Sequence, residues 1–175
     1  NNDPGAVCTD GLTELSINQE VAALVQKTLT EEGFDVDLLQ EFDNRLEDYK
    51  SLALVSIHSD SCTYVNDAAT GFKVSQSQAN PRTERTDRMM DCLSNRYAQA
   101  TGLGEHDSIT RDMTEYHAFG EIDPNTPAVI IEIGFMNLDR QLLTQNQPAV
   151  AQGISNGILC YIKKESINTD LNDEP

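Results

Sequence analysis

Tryptophan is absent from this chain and cationic side chains are scarce. Twelve lysines and arginines stand against 29 aspartates and glutamates, a formal net charge of −17 over 175 residues. With no basic stripe to displace the counterions of a phosphate backbone, the charge argues against nucleic acid as a partner. Such an acidic surface keeps a chain soluble and favours a metal cation or a basic partner; a high-salt source explains it equally well. No run approaches the roughly 20 apolar residues of a membrane span. No signal peptide is visible, and the abrupt opening at Asn1-Asn2-Asp3-Pro4 points to a processed or trimmed start. GxGxxG and Walker loops are missing, which leaves nucleotide binding without support. Ser56, Ser59 and Ser61 lie outside any G-x-S-x-G elbow, so a serine hydrolase is a poor reading. The four cysteines, Cys8, Cys62, Cys92 and Cys160, include no CxxC pair, which argues against a structural zinc site. Their even number permits two disulfides in an oxidising compartment. Cys8 with Cys62 is the first pairing expected, because both would flank one site, while Cys92 and Cys160 fit equally well as small core hydrophobes.

What the chain does have is two strand-like runs that end in chemistry. Leu52–Cys62, LALVSIHSDSC, opens apolar and β-branched and turns polar at His58. Open α/β sheets place their ligands just outside the carboxyl ends of their strands, so a histidine there is a candidate. Pro127–Asn137, PAVIIEIGFMN, repeats the design with Glu132. A carboxylate left without a partner in an apolar strand costs several kcal/mol. Glu132 is therefore expected to face a cation or to sit at an open sheet edge, and the two strand ends to share one site.

The remaining elements follow from spacing and caps. Thr13 can cap a helix running to about Glu32 and stopping at Gly33, with Ile17, Val21, Leu24, Val25 and Leu29 as its core stripe. Phe34–Leu39 alternates like a strand, and Glu41–Tyr49 suits a short polar connection. Gly71–Ser75 suits a short edge strand. Thr83 to about Ala100 reads as a helix whose methionines fill the core. Gly102–Asp123 is expected to be irregular and holds His106 and His117. A short helix over Asp139–Thr144 precedes one that starts at Pro148 and runs through Tyr161. Alternating strands and helices predict a single α/β domain, residues 1–164, with a mostly parallel twisted sheet and helices on both faces. The acidic tail 165–175 is expected to be disordered.

Taken together these pieces resemble the zinc-dependent N-acetylmuramoyl-L-alanine amidases of bacterial cell walls. Asp3-Pro4-Gly5-Ala6 followed by Gly11-Leu12-Thr13-Glu14 is similar to that family's DPGA…G…E opening. Ser56-Ile57-His58 is similar to its S-[IL]-H strand end, Gly71-Phe72 to its next short strand, and Pro127–Asn137 to its closing P-A-V-L-[VI]-E-x-G-F segment. The resemblance extends in order from Asp3 to about Tyr161. It implies a hydrolase acting on the amide between N-acetylmuramic acid and L-alanine in peptidoglycan, located outside the cytoplasm. It also implies a Zn2+ cofactor held by Glu14, His58 and a further histidine, with Glu132 as general base and acid. Apart from the resemblance, His117 precedes the Glu132 strand and is a candidate for the substrate side, with a loop histidine of no role as the equal alternative.

The main departure of the chain from that pattern is the first histidine. The family's first histidine would fall ahead of Asn1, together with the first strand. Alternatives therefore stay open: a peptidoglycan-binding or regulatory module without catalysis, a zinc peptidase acting on another amide, or a site completed by a Cys8 or Cys62 thiolate. Asp60 stands where the family often has asparagine.

Overall fold

A computed structural model of the chain describes residues 3–78 and 84–167. Thr13 caps the first helix, α1 (Glu14–Glu31): its hydroxyl accepts the Ser16 amide at 3.1 Å. Ile17, Val21, Val25 and Leu29, one helical turn apart, are the buried stripe. Gly33, at φ +90°, ends the helix in the left-handed conformation that glycine adopts without a Cβ penalty. The other long helices are α2 (Glu84–Thr101) and α6 (Gln147–Lys163), the latter carrying Pro148 in its first turn. Three short ones, α3 (Arg111–Thr114), α4 (Ala118–Glu121) and α5 (Arg140–Gln145), complete the helical set among the described residues. The two four-residue turns α3 and α4 fall inside the stretch expected to be irregular.

The sheet has the order β1-β3-β2, with β1 at Leu54–Asp60, β2 at Lys73–Ser75 and β3 at Ala128–Phe135. β1 runs parallel to β3 and β2 antiparallel to it, so the sheet is mixed rather than mostly parallel. The reason is local: no helix carries the chain from Asp60 back to the other end of the sheet, so β2 starts at the end where β1 finished. Glu132 consequently lies on the central strand and not at an edge.

α1, α2 and α6 cover one face, where Val129, Ile131 and Ile133 pack with Val21, Leu93 and Ile154. The other face carries α3, α4 and a 3-10 turn, Asn44–Leu46, around Leu46, Phe119 and Ile130. α2 and α6 approach so closely that a Cβ on Gly157 would lie 2.8 Å from the Leu93 Cα. Cys92 and Cys160 cross-link these helices in a disulfide, so the reading of that pair as free core hydrophobes is corrected: they are both buried and bonded. Asp139, also buried, ties the strand ends together. It accepts the Gly71 amide at 3.0 Å, the Phe135 amide at 2.9 Å and the Thr70 hydroxyl.

Phe34–Leu39 is not a strand. Gln26 and Arg45 bond the carbonyls of Val36 and Leu38, but among the described residues no strand lies beside the segment. A cavity of about 1180 Å³ separates it from β1. Of the tail, residues 168–175 fall outside the described part of the chain, and with them most of the expected disorder.

Candidate active site

The parallel register sets His58 of β1 beside Glu132 of β3, and the antiparallel register sets Glu132 beside Lys73 of β2. Facing residues on neighbouring strands point to the same side of a sheet. Three ionisable side chains therefore stand in a row across the carboxyl ends of the parallel strands, and Glu14 joins them from the first turn of α1.

Glu14 does far more than complement the helix dipole. Its Oε1 lies 3.0 Å from His58 Nδ1 and accepts the Ser59 amide at 3.3 Å and the Asn18 side chain at 3.3 Å. Its Oε2 accepts the Ala6 amide at 3.0 Å. A Cβ on Gly5 would sit 2.4 Å from that oxygen, and Gly5 has φ +61°, so the Asp3–Ala6 turn can close on the carboxylate only with glycine there. Burial would raise the Glu14 pKa, but the bond from His58 and the Ala6 amide outweigh it and the net shift is downward. Burial likewise would lower the His58 pKa. Glu14, with Glu132 adding its charge, overrides it and raises the pKa.

Glu132 is the opposite case. Its Oε2 is buried with no hydrogen-bond partner. Burial pushes its pKa up to about 7; His58 and Lys73 pull the other way, while Asp60 and Glu14 add to the rise. A carboxyl group held near neutrality can take and return a proton at working pH.

Lys73 and Tyr116 were not singled out from the sequence. Lys73 is only 2% exposed, forms an ion pair with Asp60, and places its amine 5.0 Å from the centre of the Phe135 ring. A lysine between Phe72 and Val74 in a strand-like run was the available signal. Tyr116 and His58 pack in a T-shaped ring contact with centroids 5.1 Å apart, and burial pushes the Tyr116 hydroxyl up to about 12. Nothing in its local sequence marks it, since a loop brings it there. His117 lies one ring further out. It stacks on Phe42 at 4.3 Å, touches Tyr116, and bonds Glu121 at 2.7 Å through Nδ1. The structure thus brings Glu14, His58 and Glu132 together and leaves His117 on the rim. His106 sits apart from them, edge-on to Phe135.

Cys8 and Cys62 form a disulfide across the site's edge, linking the loop before α1 to the loop after β1. This is the expected pairing, and it removes both thiolates as metal ligands. Among the described residues no group of three or more His, Cys, Asp or Glu side chains is placed to hold a metal ion. The Glu14–His58 pair nevertheless suits zinc in kind, one carboxylate oxygen and one imidazole nitrogen. Their 3.0 Å separation is close to the roughly 3.3 Å subtended by two ligands about 2.0 Å from a tetrahedral centre.

An α/β domain that gathers an imidazole, a buried basic carboxylate and a second carboxylate at its strand ends is an enzyme built for proton-transfer chemistry. The chain belongs to the N-acetylmuramoyl-L-alanine amidase family, whose sequence model matches residues 1–160. These are hydrolases that cleave the amide between N-acetylmuramic acid and L-alanine in peptidoglycan. Among solved structures, it is similar to the catalytic domain of CwlV, an N-acetylmuramoyl-L-alanine amidase from Bacillus (Paenibacillus) polymyxa var. colistinus. The two are 25% identical over 93% of each chain, with a TM-score of 0.70. An amidase from Clostridium difficile 630 shares the fold at 20% identity over 95% of this chain and 93% of that one, with a TM-score of 0.71. Ami1 from Mycobacterium smegmatis shares it at 20% identity over 93% and 82%, with a TM-score of 0.67. No curated protein matches the chain in sequence. No described helix is long and apolar enough to cross a membrane.

Proposed function

We propose that the amidase site is a zinc site in which Glu14 and His58 are two ligands and Glu132 is the general base and acid. The observation that carries this is the pairing of Glu14 Oε1 with His58 Nδ1 beside the unpartnered Oε2 of Glu132. This reading needs a third ligand beyond the Glu14–His58 pair, which the described residues do not place there. When bound, zinc supplies Lewis acidity, acidifying a water molecule and polarising the amide carbonyl.

The chain's own residues do the rest. Ala6, Asn18 and Ser59 hold the Glu14 carboxylate so that Oε1 faces His58. Tyr116 buttresses the His58 ring. Glu132 Oε2 takes the proton from the attacking water and delivers it to the nitrogen of the departing L-alanine. Its pKa of about 7 serves both halves of that transfer. His117 acts on the substrate side through Tyr116 rather than on the reacting atoms. Two disulfides and a peptidoglycan substrate support a location outside the cytoplasm.

The test is elemental analysis of the purified protein, followed by Glu132→Gln. The proposal expects about one zinc per chain, and a variant that keeps its zinc but loses muropeptide cleavage by ~10³-fold or more. A second reading, a wall-binding module without catalysis, is favoured by the absence of a third ligand among the described residues. It expects retention on peptidoglycan with no zinc uptake and no release of stem peptides even in excess metal, and that result would displace the first reading.

A further inference from the structure

Eight large apolar side chains are exposed among the described residues, and four of them gather at one place. Val7, Tyr64, Val65 and Leu138 each lie within three residues of Cys8, Cys62 or Asn137. Those three are fastened together. Cys8 and Cys62 share a disulfide, and the Asn137 side-chain amide donates to the Cys62 carbonyl at 2.8 Å. Tyr64 is 57% exposed and Val65 64%. Apolar residues scattered singly over a surface are ordinary, but several around one hub mark a contact site.

The hub lies at the reacting end of the sheet. In the order β1-β3-β2, the chain from His58 to Lys73 has to pass the carboxyl end of β3, toward which Glu132 lies. Residues 61–70 are that passage, and they hold their own shape. The Thr63 amide bonds Ser61 Oγ at 3.0 Å, the Ala68 amide bonds Asn66 Oδ1 at 2.8 Å, and Asp139 fixes Thr70. The Tyr64 hydroxyl donates to Asp67 at 2.8 Å, which restrains the exposed ring. A ring restrained in advance loses little entropy when a ligand packs on it.

The surface is apolar and offers no free cation. The passage contains Asp67 but neither lysine nor arginine. Lys73, just beyond it, is buried and paired with Asp60, and Arg140, two residues after Leu138, is paired with Asp10. A stem peptide bearing carboxylates finds no partner there, on a chain of net charge −17. The other half of the substrate suits the surface better. In intact peptidoglycan the lactyl carboxyl of muramic acid is tied up in the amide to be cut, so the sugar is uncharged. Its ring presents C–H faces that pack on tyrosine and aliphatic side chains.

We infer that Tyr64 and Val65, with Val7 and Leu138 beside them, form a docking surface for the N-acetylhexosamine strand of peptidoglycan, next to the amide being cut. The choice of ligand rests on the amidase activity of the family. The zinc chemistry proposed above plays no part in it.

NMR titration of the intact protein tests this with two probes. One is a peptide-free tetrasaccharide of alternating N-acetylglucosamine and N-acetylmuramic acid, its lactyl carboxyls capped as methylamides; the other is the sugar-free stem peptide. The tetrasaccharide should shift the Tyr64 ring and Val65 methyl signals, and Tyr64→Ala should weaken its binding about fivefold or more. Tyr64→Phe keeps the ring and gives up only the Asp67 bond, so its affinity should stay within about twofold of the parent. Should Tyr64→Ala lose its fold, Val65→Ser takes its place, with a loss of about twofold or more. Three results would overturn the inference. Shifts that leave Tyr64 and Val65 untouched would put the glycan elsewhere. Affinity for the tetrasaccharide that survives Tyr64→Ala would mean the ring is not a platform. Tighter binding of the sugar-free peptide at Tyr64 would assign the surface to peptide. Binding is read without turnover, so protein that takes up no zinc and cleaves nothing still returns an answer.

Discussion

Burial governs Glu132 more than any neighbour does, and it has a consequence for stability as well as for proton transfer. Its folded pKa of about 7 lies above the ordinary value of 4.5. A group raised in this way contributes most below its unfolded pKa, and its contribution is lost as pH climbs through the folded one. In metal-free protein, Glu132→Gln should therefore match the parent near pH 4 and be the more stable form at pH 8. The upper bound is about 3 kcal/mol, and denaturant unfolding at the two pH values reads the difference. His58 and Glu132 were legible in the sequence because each interrupts an apolar run at its carboxyl end. Glu14 was not legible from spacing alone; the family resemblance marked it. Lys73 and Tyr116 escaped because register and loop closure put them near the site, and a single sequence reveals neither.

At the scale of elements, caps and helical periodicity were readable because they depend on residues within one or two turns. α1, α2, α5 and α6 all lie within a residue or two of their expected bounds. Strands depend on partners, and the errors fall there. Phe34–Leu39 has the alternation of a strand but no neighbour to pair with, and the direction of β2 followed from the lack of a crossover helix. Asp139 shows how much one side chain organises this end of the fold, since it joins the Thr70–Gly71 turn to the end of β3. Asp139→Ala should destabilise the protein by about 3 kcal/mol, since it strips two buried amides and a hydroxyl of a charged acceptor. Urea unfolding measures the loss. The Glu14–His58 pairing should survive the change, because Asp139 bonds neither residue.

Over the whole molecule the charge of −17 sets the terms on which substrate arrives. Stem peptides carry carboxylates, so at low salt the enzyme's field repels the substrate of its own family. Raising ionic strength from about 0.01 M to 0.15 M shortens the screening length from roughly 30 Å to 8 Å. KM for an anionic muropeptide should fall over that interval while kcat stays within about twofold, because charges in the site itself are partly buried and less screened. Steady-state kinetics at the two salt concentrations provide the check. Composition made this property legible at once, since net charge needs no fold.

The stretch from residue 34 to residue 53 holds one 3-10 turn as its regular structure, with Phe42 61% exposed at φ +59°. A chymotrypsin-like protease should nick the chain there first. The fragments 1–42 and 43–175 would not part, however, because Cys8 lies in one and Cys62 in the other. Nicked protein should run as a single full-length band on a denaturing gel without reductant and as two bands with it. A chain exposed to foreign proteases could thus take its first cut and remain one molecule.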